Sequence, residues 1–289
     1  MSKIIISAFA DEYSPDAIEH ADYLQSEDIH FIEPRFVNGV NISDLAESEI
    51  KNYNKLLNER GIRASSIGSP IGKINLADDF SEHTERARRC FNAANIMGTR
   101  YVRAFSFYLR DGQSRAEARS EVIERLGTLL DLADSYGVTL CHENEAGIYG
   151  ESPEQCHDLL TAFGGRLRAV FDMGNFILDS YSPYPEAYGL LKDYIEYFHI
   201  KDSVRAGAIV PAGCGEARIA DVLREHNASV NKVFFISLEP HLETFAGLNK
   251  LVGKAFENPY KFNSAKEAFI HGLASLRSII SKIEEGLKM

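Results

Sequence analysis

Short apolar runs alternate with longer amphipathic stretches along the whole chain. Runs rich in β-branched residues, as in buried strands, fall at about 3–9, 29–35, 62–68, 100–106, 137–143, 167–172, 195–200 and 232–238. Stretches with helical spacing of apolar residues follow them at about 15–25, 43–60, 80–98, 114–136, 152–163, 184–193, 217–228 and 263–285. The pattern predicts eight strand–helix units, which implies parallel strands joined by right-handed crossovers.

Residues at the predicted helix ends support these boundaries. Ser114 and Glu117 have the spacing of a capping box at the start of the fourth helix. Ser14-Pro15 and Ser152-Pro153 each place a capping side chain before a proline at the first helical position. Glycines at positions that suit a left-handed residue after a helix are Gly61, Gly98 and Gly137.

Eight such units in 289 residues predict an α/β protein with the (β/α)8 TIM barrel fold, in a single domain spanning 1–289. A doubly wound open sheet is the alternative. That fold is usually marked by a glycine-rich turn after its first strand, whereas the turn here reads AFADEYSP. The chain shows no linker or change of composition that would divide it.

Four metal-competent side chains end four successive predicted strands. They are Glu143 in VTLCHEN, Asp172 in LRAVFDMGN, His199 in YFHIKD and Glu239 in FFISLEPH. Because the carboxyl ends of barrel strands meet at one face, we expect these groups to converge. Two Glu, one Asp and one His suit one divalent metal ion such as Mn, Mg, Co or Zn. Helix capping by isolated acids is the alternative, and four consecutive units make it the weaker one.

Other polar residues near the same strand ends are candidates for substrate binding. Glu145 shares the strand parity of Glu143, and Lys201 shares that of His199. The remaining candidates of this kind are His241, Arg103, Lys73 and Arg35. Arg35 could instead form a buried ion pair with Glu33 beneath the pocket.

Two further segments have competing interpretations. The turn Gly213-Cys214-Gly215 is either a tight turn or a phosphate-binding loop before the seventh helix. Asp11 and Glu12, after the first strand, are most simply helix-capping residues. The long segment at about 245–262 is either a lid over the barrel mouth or an extra helix.

Composition narrows the classes of partner. The formal net charge of -11 disfavours binding to nucleic acid and to anionic membranes. The four cysteines have no CxxC spacing, which predicts free thiols in a reducing compartment. No targeting segment or apolar stretch of about 18 residues is visible, so we expect a cytoplasmic protein without a membrane partner.

The strand-end motifs CHENEAGIYG, FDMGN, HIKD and SLEPH resemble the metal-binding strands of the xylose-isomerase-like barrels. The first half of the chain agrees, with ADEYSPD, IEPR, SSIGSPIGK and VRAFSFY after or within the first four strands. The resemblance therefore covers nearly the whole chain. This superfamily includes sugar and sugar-phosphate isomerases and epimerases, inosose dehydratases and apurinic endonucleases.

The resemblance implies roles for particular residues. Glu143, Asp172, His199 and Glu239 would bind one divalent metal, and the two glutamates would act as paired acid and base on a metal-bound enediolate. Asn175 stands where family epimerases often have a histidine. An asparagine can hydrogen-bond a substrate hydroxyl but cannot shuttle a proton at neutral pH.

These features predict a metal-dependent isomerase or epimerase that acts on a small sugar, sugar phosphate or related polyhydroxy carbonyl compound. A dehydratase or lyase of the inosose or dehydroshikimate type is the alternative on the same scaffold. Apurinic endonuclease activity is disfavoured, because no histidine ends the first four strands. A sugar-binding barrel without turnover is a further alternative. Barrels of this kind often form homo-oligomers, and the sequence leaves the oligomeric state open.

Overall fold

The computed structural model describes residues 3–242 and 260–286. The strands in chain order are β1 (Ile4–Ala8), β2 (Phe31–Ile32), β3 (Phe36–Val37), β4 (Val40–Asn41), β5 (Arg63–Ala64), β6 (Ile67–Ile71), β7 (Tyr101–Ala104), β8 (Thr139–Glu143), β9 (Arg168–Asp172), β10 (Ile195–Ile200), β11 (Asp202–Val204), β12 (Ala208–Val210) and β13 (Phe234–Leu238). Seven of these strands are parallel and form one curled sheet in the order β1-β13-β10-β9-β8-β7-β6.

The short strand β2 closes the sheet into a barrel. The Glu33 N–H donates to Ala8 O at 3.0 Å, and the Ser65 N–H donates to Ile32 O at 2.8 Å. β2 also pairs in parallel with β5, which leads directly into β6. The third barrel position is therefore shared by β5 and β6. All eight predicted strands are present, and the (β/α)8 fold is confirmed.

Helices cover the outside of the barrel. They are α1 (Ala17–Ser26), α2 (Glu47–Asn58), α3 (Phe80–Met97), α4 (Arg115–Tyr136), α5 (Pro153–Ala162), α6 (Met173–Leu178), α7 (Tyr188–Leu191), α8 (Ile219–Ser229) and α9 (Ala265–Gly286). Their apolar faces pack on the strands through fully buried residues such as Leu24, Leu57, Phe91, Leu126 and Leu160. In the described ranges no helix is long and apolar enough to cross a membrane.

The connections differ from the sequence prediction in four places. The helix predicted at 184–193 is broken, because Tyr184 between two prolines is extended (φ -145°, ψ 134°) and only Tyr188–Leu191 is α-helical. The short helix α6 and the hairpins β3–β4 and β11–β12 were not predicted. Residues 243–259, which hold most of the segment predicted to be either a lid or an extra helix, lie outside the described residues.

Two of the three predicted serine caps are correct. Ser114 and Glu117 form the capping box of α4, and Ser152 caps α5 ahead of Pro153. The prediction for Ser14-Pro15 is wrong, because α1 begins at Ala17 after Asp16. The Asp16 carboxylate accepts two helix N–H groups there, from Ile18 at 2.8 Å and Glu19 at 3.0 Å.

All four cysteines are free thiols, and only Cys214 is exposed.

Gly72 connects β6 to the loop at the barrel mouth and needs to be glycine for two reasons. Its φ is +84°, and a Cβ added to it would lie 2.1 Å from Phe105 O.

We predict that Gly72→Ala costs about 1–3 kcal/mol more than Gly98→Ala in the free energy of unfolding. Gly98 is the matched control, because its φ is +72° but its Cβ would meet nothing within 4 Å. Equal losses in denaturant unfolding would contradict the close approach.

His83 holds the same loop from helix α3. The Gly72 N–H donates to His83 Nε2 at 2.7 Å, and burial together with Arg86 and Arg125 lowers the pKa of His83 to about 4. This neutral imidazole stabilises the fold above pH 6.5, and the contribution is lost as the pH falls towards 4.

We predict that His83→Gln removes part of the acid destabilisation, on the order of 2 kcal/mol between pH 6.5 and 4. The glutamine carbonyl can accept the Gly72 N–H at every pH. Thermal and denaturant unfolding at several pH values measure this. The surface substitution His30→Gln should keep the wild-type profile, and an unchanged profile for His83→Gln would refute the role of the buried imidazole.

Candidate metal-binding active site

The strand ends bring four predicted ligands together. Glu143 and Asp172 are the last residues of β8 and β9, His199 lies near the end of β10, and Glu239 follows β13. The register aligns His199 with Asp172 on one side and with Ser237 on the other. One donor atom from each of the four lies within 4.8 Å of every other, and all four side chains are buried.

This donor set fits a divalent cation. Ligand atoms on opposite sides of such an ion, each about 2.1 Å from it, lie about 4.2 Å apart. Glu143 Oε2, Asp172 Oδ2 and Glu239 Oε2 are buried and accept no hydrogen bond within the described part of the chain. Each of the three oxygens has a basic side chain nearby but no hydrogen bond from the described residues, so each keeps the capacity to bind a cation.

Two basic side chains lie beside the same oxygens. Lys201 Nζ is 2.9 Å from Asp172 Oδ2 and 3.5 Å from Glu239 Oε2. Arg103 Nη1 is 3.2 Å from Glu143 Oε2, and its other donors contact the backbone carbonyls of Ser69 and Gly68. Arg103 is therefore held beneath the carboxylates, whereas Lys201 faces them from β10.

The environment separates the acidities of the three carboxyl groups. Burial alone would raise the pKa of Glu143, but His199 and Arg103 outweigh it and lower the pKa to about 2. For Glu239, Lys201, His241 and His199 likewise outweigh burial and hold the pKa well below its usual range. Burial dominates at Asp172, and its pKa rises to about 6 despite Lys201.

Arg35 anchors three acids under the site. Its guanidinium donates to Asp11 at 2.9 Å, to Glu12 at 3.1 Å and to Glu239 at 2.6 Å. The simple interpretation of Asp11 and Glu12 as helix caps is wrong, because both belong to a buried 3-10 turn and Asp16 caps α1. The strand-end rule that singled out the four ligands could have found them, since they lie in the turn that follows β1.

Glu33 and Arg35 do not share one role. Glu33 contacts His199, with Oε2 at 3.2 Å from Nε2, while Arg35 contacts the acids at the end of β1 and Glu239. Both side chains are buried. The structure thus places Arg35 behind Glu239, and its contact with substrate stays a prediction.

Three more candidates surround the carboxylates. Lys73 Nζ lies 2.8 Å from Glu145 Oε2 and 4.3 Å from the centre of the Phe105 ring. The side chain of Lys73 is 11% exposed and that of Glu145 is 18% exposed, whereas the four predicted metal ligands are buried. The His241 N–H donates to Glu12 at 2.8 Å, and its Nε2 lies 3.6 Å from Glu239 Oε1.

Asn175 orients a ligand from the start of α6. Its N–H donates to Asp172 Oδ1 at 2.8 Å, and its side-chain amide donates to Asn144 O at 2.9 Å. Asn144, which the sequence reasoning missed, bonds both the N–H and the C=O of Asp172 through its own side chain. Asn144 therefore fixes the backbone of Asp172, and Asn175 fixes its carboxylate.

The backbone N–H groups of the turn Gly213-Cys214-Gly215 are hydrogen-bonded to a side chain of the same protein. Asp202 accepts the N–H groups of Gly213 at 2.7 Å, Gly215 at 3.0 Å and Ala217 at 3.0 Å. A Cβ on Gly215 would lie 2.2 Å from Asp202 Oδ1. The phosphate interpretation of this turn is wrong, because an internal carboxylate already takes these donors.

Comparisons with known proteins agree with this fold. A search of curated sequences gave no match. The structure is similar to the probable 3-DHS dehydratase AsbF of Bacillus anthracis, with 15% identity, coverage of 94% of this chain and 98% of that one, and a TM-score of 0.72. It is also similar to the IolI protein with a bound zinc atom, with 16% identity, coverage of 98% and 99%, and a TM-score of 0.71.

A third similar structure is D-allulose 3-epimerase from Methylomonas sp. in complex with D-allulose. Its identity is 14%, the coverage is 96% of this chain and 98% of that one, and the TM-score is 0.73. The family model described as xylose isomerase-like TIM barrel matches residues 21–247. The resemblance recognised in the strand-end motifs is thereby confirmed, and the chain belongs to the xylose isomerase-like TIM barrel family.

Proposed function

We propose that this protein is a divalent-metal-dependent isomerase or epimerase of a small sugar, sugar phosphate or related polyhydroxy carbonyl compound. The observation that carries the proposal is the convergence of Glu143, Asp172, His199 and Glu239, whose donor atoms lie within 4.8 Å of one another. The similarity to an epimerase in complex with D-allulose and to a zinc-binding protein supports it.

The four convergent side chains would hold one ion, and Mn, Mg, Co and Zn all suit this ligand set. The bound ion would supply polarisation of a substrate carbonyl and compensation of the negative charge that develops there. Around it, Arg35 and Arg103 keep Glu239 and Glu143 in place. These side chains are buried, and exclusion of water from the reacting carbon would strengthen each electrostatic contact.

Glu143 and Glu239 would move the proton. Both carboxyl groups have a lowered pKa, so each is ionised at neutral pH and can act as a base. In an epimerisation, one carboxylate would take the proton from carbon, and the other, after taking up a proton from solvent, would donate it to the opposite face of the same carbon; the first would then release its proton to solvent. In an isomerisation, the carbon-bound proton would return to the neighbouring carbon instead, and the hydroxyl proton would pass to the former carbonyl oxygen. Net charge is unchanged in both cases.

A dehydratase or lyase remains the second candidate, and one contact favours it. Lys201 Nζ, buried 2.9 Å from Asp172 Oδ2, is a cation that would donate a hydrogen bond to a leaving hydroxyl group and stabilise its negative charge. The similarity to a probable 3-DHS dehydratase agrees with this. Product mass separates the candidates, because dehydration removes one water and isomerisation removes none.

The central test measures proton exchange. We predict that wild-type protein with Mn catalyses exchange at the carbon next to the carbonyl for at least one member of a panel of free and phosphorylated ketoses in deuterium oxide. Glu239→Gln should lower that rate by about 10²–10⁴ at saturating metal, because the base is lost. Chelation should abolish the exchange, and added Mn should restore it.

Glu196→Gln is the matched control for this substitution. Glu196 is a buried glutamate at the amino end of β10, where it pairs with Lys232 at 2.8 Å. Its replacement should leave exchange within about twofold. Undiminished exchange in Glu239→Gln would remove its proposed role. Absence of exchange and of mass change in the whole panel would overturn the proposed function itself.

The ion pair of Lys73 and Glu145 is proposed to contact the distal hydroxyl groups of the substrate. We predict that Lys73→Met raises KM about tenfold with less than about a threefold change in kcat, since one charge-assisted hydrogen bond is lost. The methionine keeps the apolar stem on Phe105. Lys232→Met is the control at the opposite end of the barrel, and an unchanged KM for Lys73→Met would exclude the contact.

A further inference from the structure

Glu33 is a buried carboxylate that the four-ligand site does not include. It follows β2 and is fully buried, and its backbone N–H bonds Ala8 O in the closure of the barrel. Its Oε2 accepts from Ser237 Oγ at 2.5 Å and lies 3.2 Å from His199 Nε2. Its Oε1 accepts from the Tyr197 hydroxyl at 3.1 Å. Three neighbouring groups therefore fix both of its oxygens.

The opposite nitrogen of His199 faces the proposed ion site. Nδ1 lies 2.8 Å from Glu143 Oε1 and 3.6 Å from Glu239 Oε2. The ring cannot rotate freely, because Phe9 packs edge-on at a centroid distance of 5.0 Å and Tyr197 lies 5.6 Å away. The imidazole thus presents one nitrogen to the acidic ligands and the other to Glu33.

A neutral imidazole carries one N–H, and only its other nitrogen can bind a metal. Both nitrogens of His199 lie beside a carboxylate, so an ion held by the acidic ligands would take the place of a hydrogen at Nδ1, and the carboxylate at Nε2 would keep the remaining hydrogen. Such a carboxylate also orients the ring and raises its strength as a ligand.

We propose that Glu33 is a positioning residue, which sets the tautomer and rotation of His199 so that Nδ1 binds the catalytic ion. The inference rests on the proposed function to the extent that the site must bind a divalent ion. Glu33 is itself held from across the barrel, because the Tyr197 hydroxyl that donates to it accepts from Ser66 Oγ at 2.8 Å. Glu33, after β2, and Ser237, in β13, are therefore hydrogen-bonded to each other beside His199 of β10.

The test measures metal affinity without substrate. Titration of the whole protein with Mn, followed by the loss of the free-ion electron paramagnetic resonance signal, should show binding that is 10- to 100-fold weaker in Glu33→Gln than in the wild type. Glu196→Gln is the matched control, since it makes the same change in a buried glutamate at the far end of the barrel. Its affinity should stay within about twofold of wild type.

A second readout reports the tautomer directly. In protein with 15N-labelled histidine and Mg, His199 should be the Nε2–H form, and Glu33→Gln should shift part of it to the Nδ1–H form. Replacement of a group that only filled space would change neither the tautomer nor the Mn affinity. Wild-type values for both in a folded Glu33→Gln protein would overturn the proposal.

Two milder variants keep the test decisive if Glu33→Gln does not fold. Ser237→Ala and Tyr197→Phe each remove one hydrogen bond to Glu33 and leave the carboxylate present. Each should weaken Mn binding by about two- to tenfold, and wild-type affinity in both would overturn the role of Glu33. Absence of Mn binding in the wild type would instead contradict the metal-dependent function.

Discussion

The compensation of buried negative charge is the constraint on which the site depends. Carboxylates from several strands lie at one end of the barrel, out of contact with water, and each would be costly there without a cation beside it. The single guanidinium of Arg35 contacts three of these acids, Asp11, Glu12 and Glu239. Arg103 and Lys201 compensate others, yet three carboxylate oxygens still accept no hydrogen bond in the described structure. A divalent ion would complete this balance.

The two ends of the barrel use charge differently. At the amino end, Glu196 is saturated by direct contacts with Tyr101, Lys232 and Arg168. At the carboxyl end, Glu143 and Glu239 keep one oxygen each without a hydrogen bond in the part of the chain described. The first arrangement stabilises the fold, and the second leaves ligand capacity for an ion and a substrate. This contrast agrees with the rule that barrel function lies at the carboxyl face.

Similar folds carry different named activities, so the barrel by itself does not fix the activity of this chain. The related folds include a probable dehydratase and a ketose epimerase, each at about 15% identity to this chain. The strand-end ligands are rigid because they lie on paired strands, whereas Lys73 and Glu145 lie on loops with partial exposure. In this arrangement the inner residues would set the type of chemistry, and the rim would select the substrate.

The sequence by itself determined the fold class and the four groups that converge. The spacing of apolar residues and the residue types at helix ends are local properties of the chain. Eight strands and a capping box such as Ser114 with Glu117 could therefore be predicted. Strand-end position then predicted that Glu143, Asp172, His199 and Glu239 would meet, because barrel closure aligns all strand ends.

Only the tertiary structure decided which side chains oppose one another across the barrel. Arg35 is 204 residues from Glu239 in sequence, and Glu33 is 166 residues from His199, so no local pattern pairs them. The same holds for the turn at Gly213, whose amides bond Asp202 rather than a phosphate. Such contacts depend on the rotation of each strand and the path of each loop, which nearest-neighbour residues do not fix.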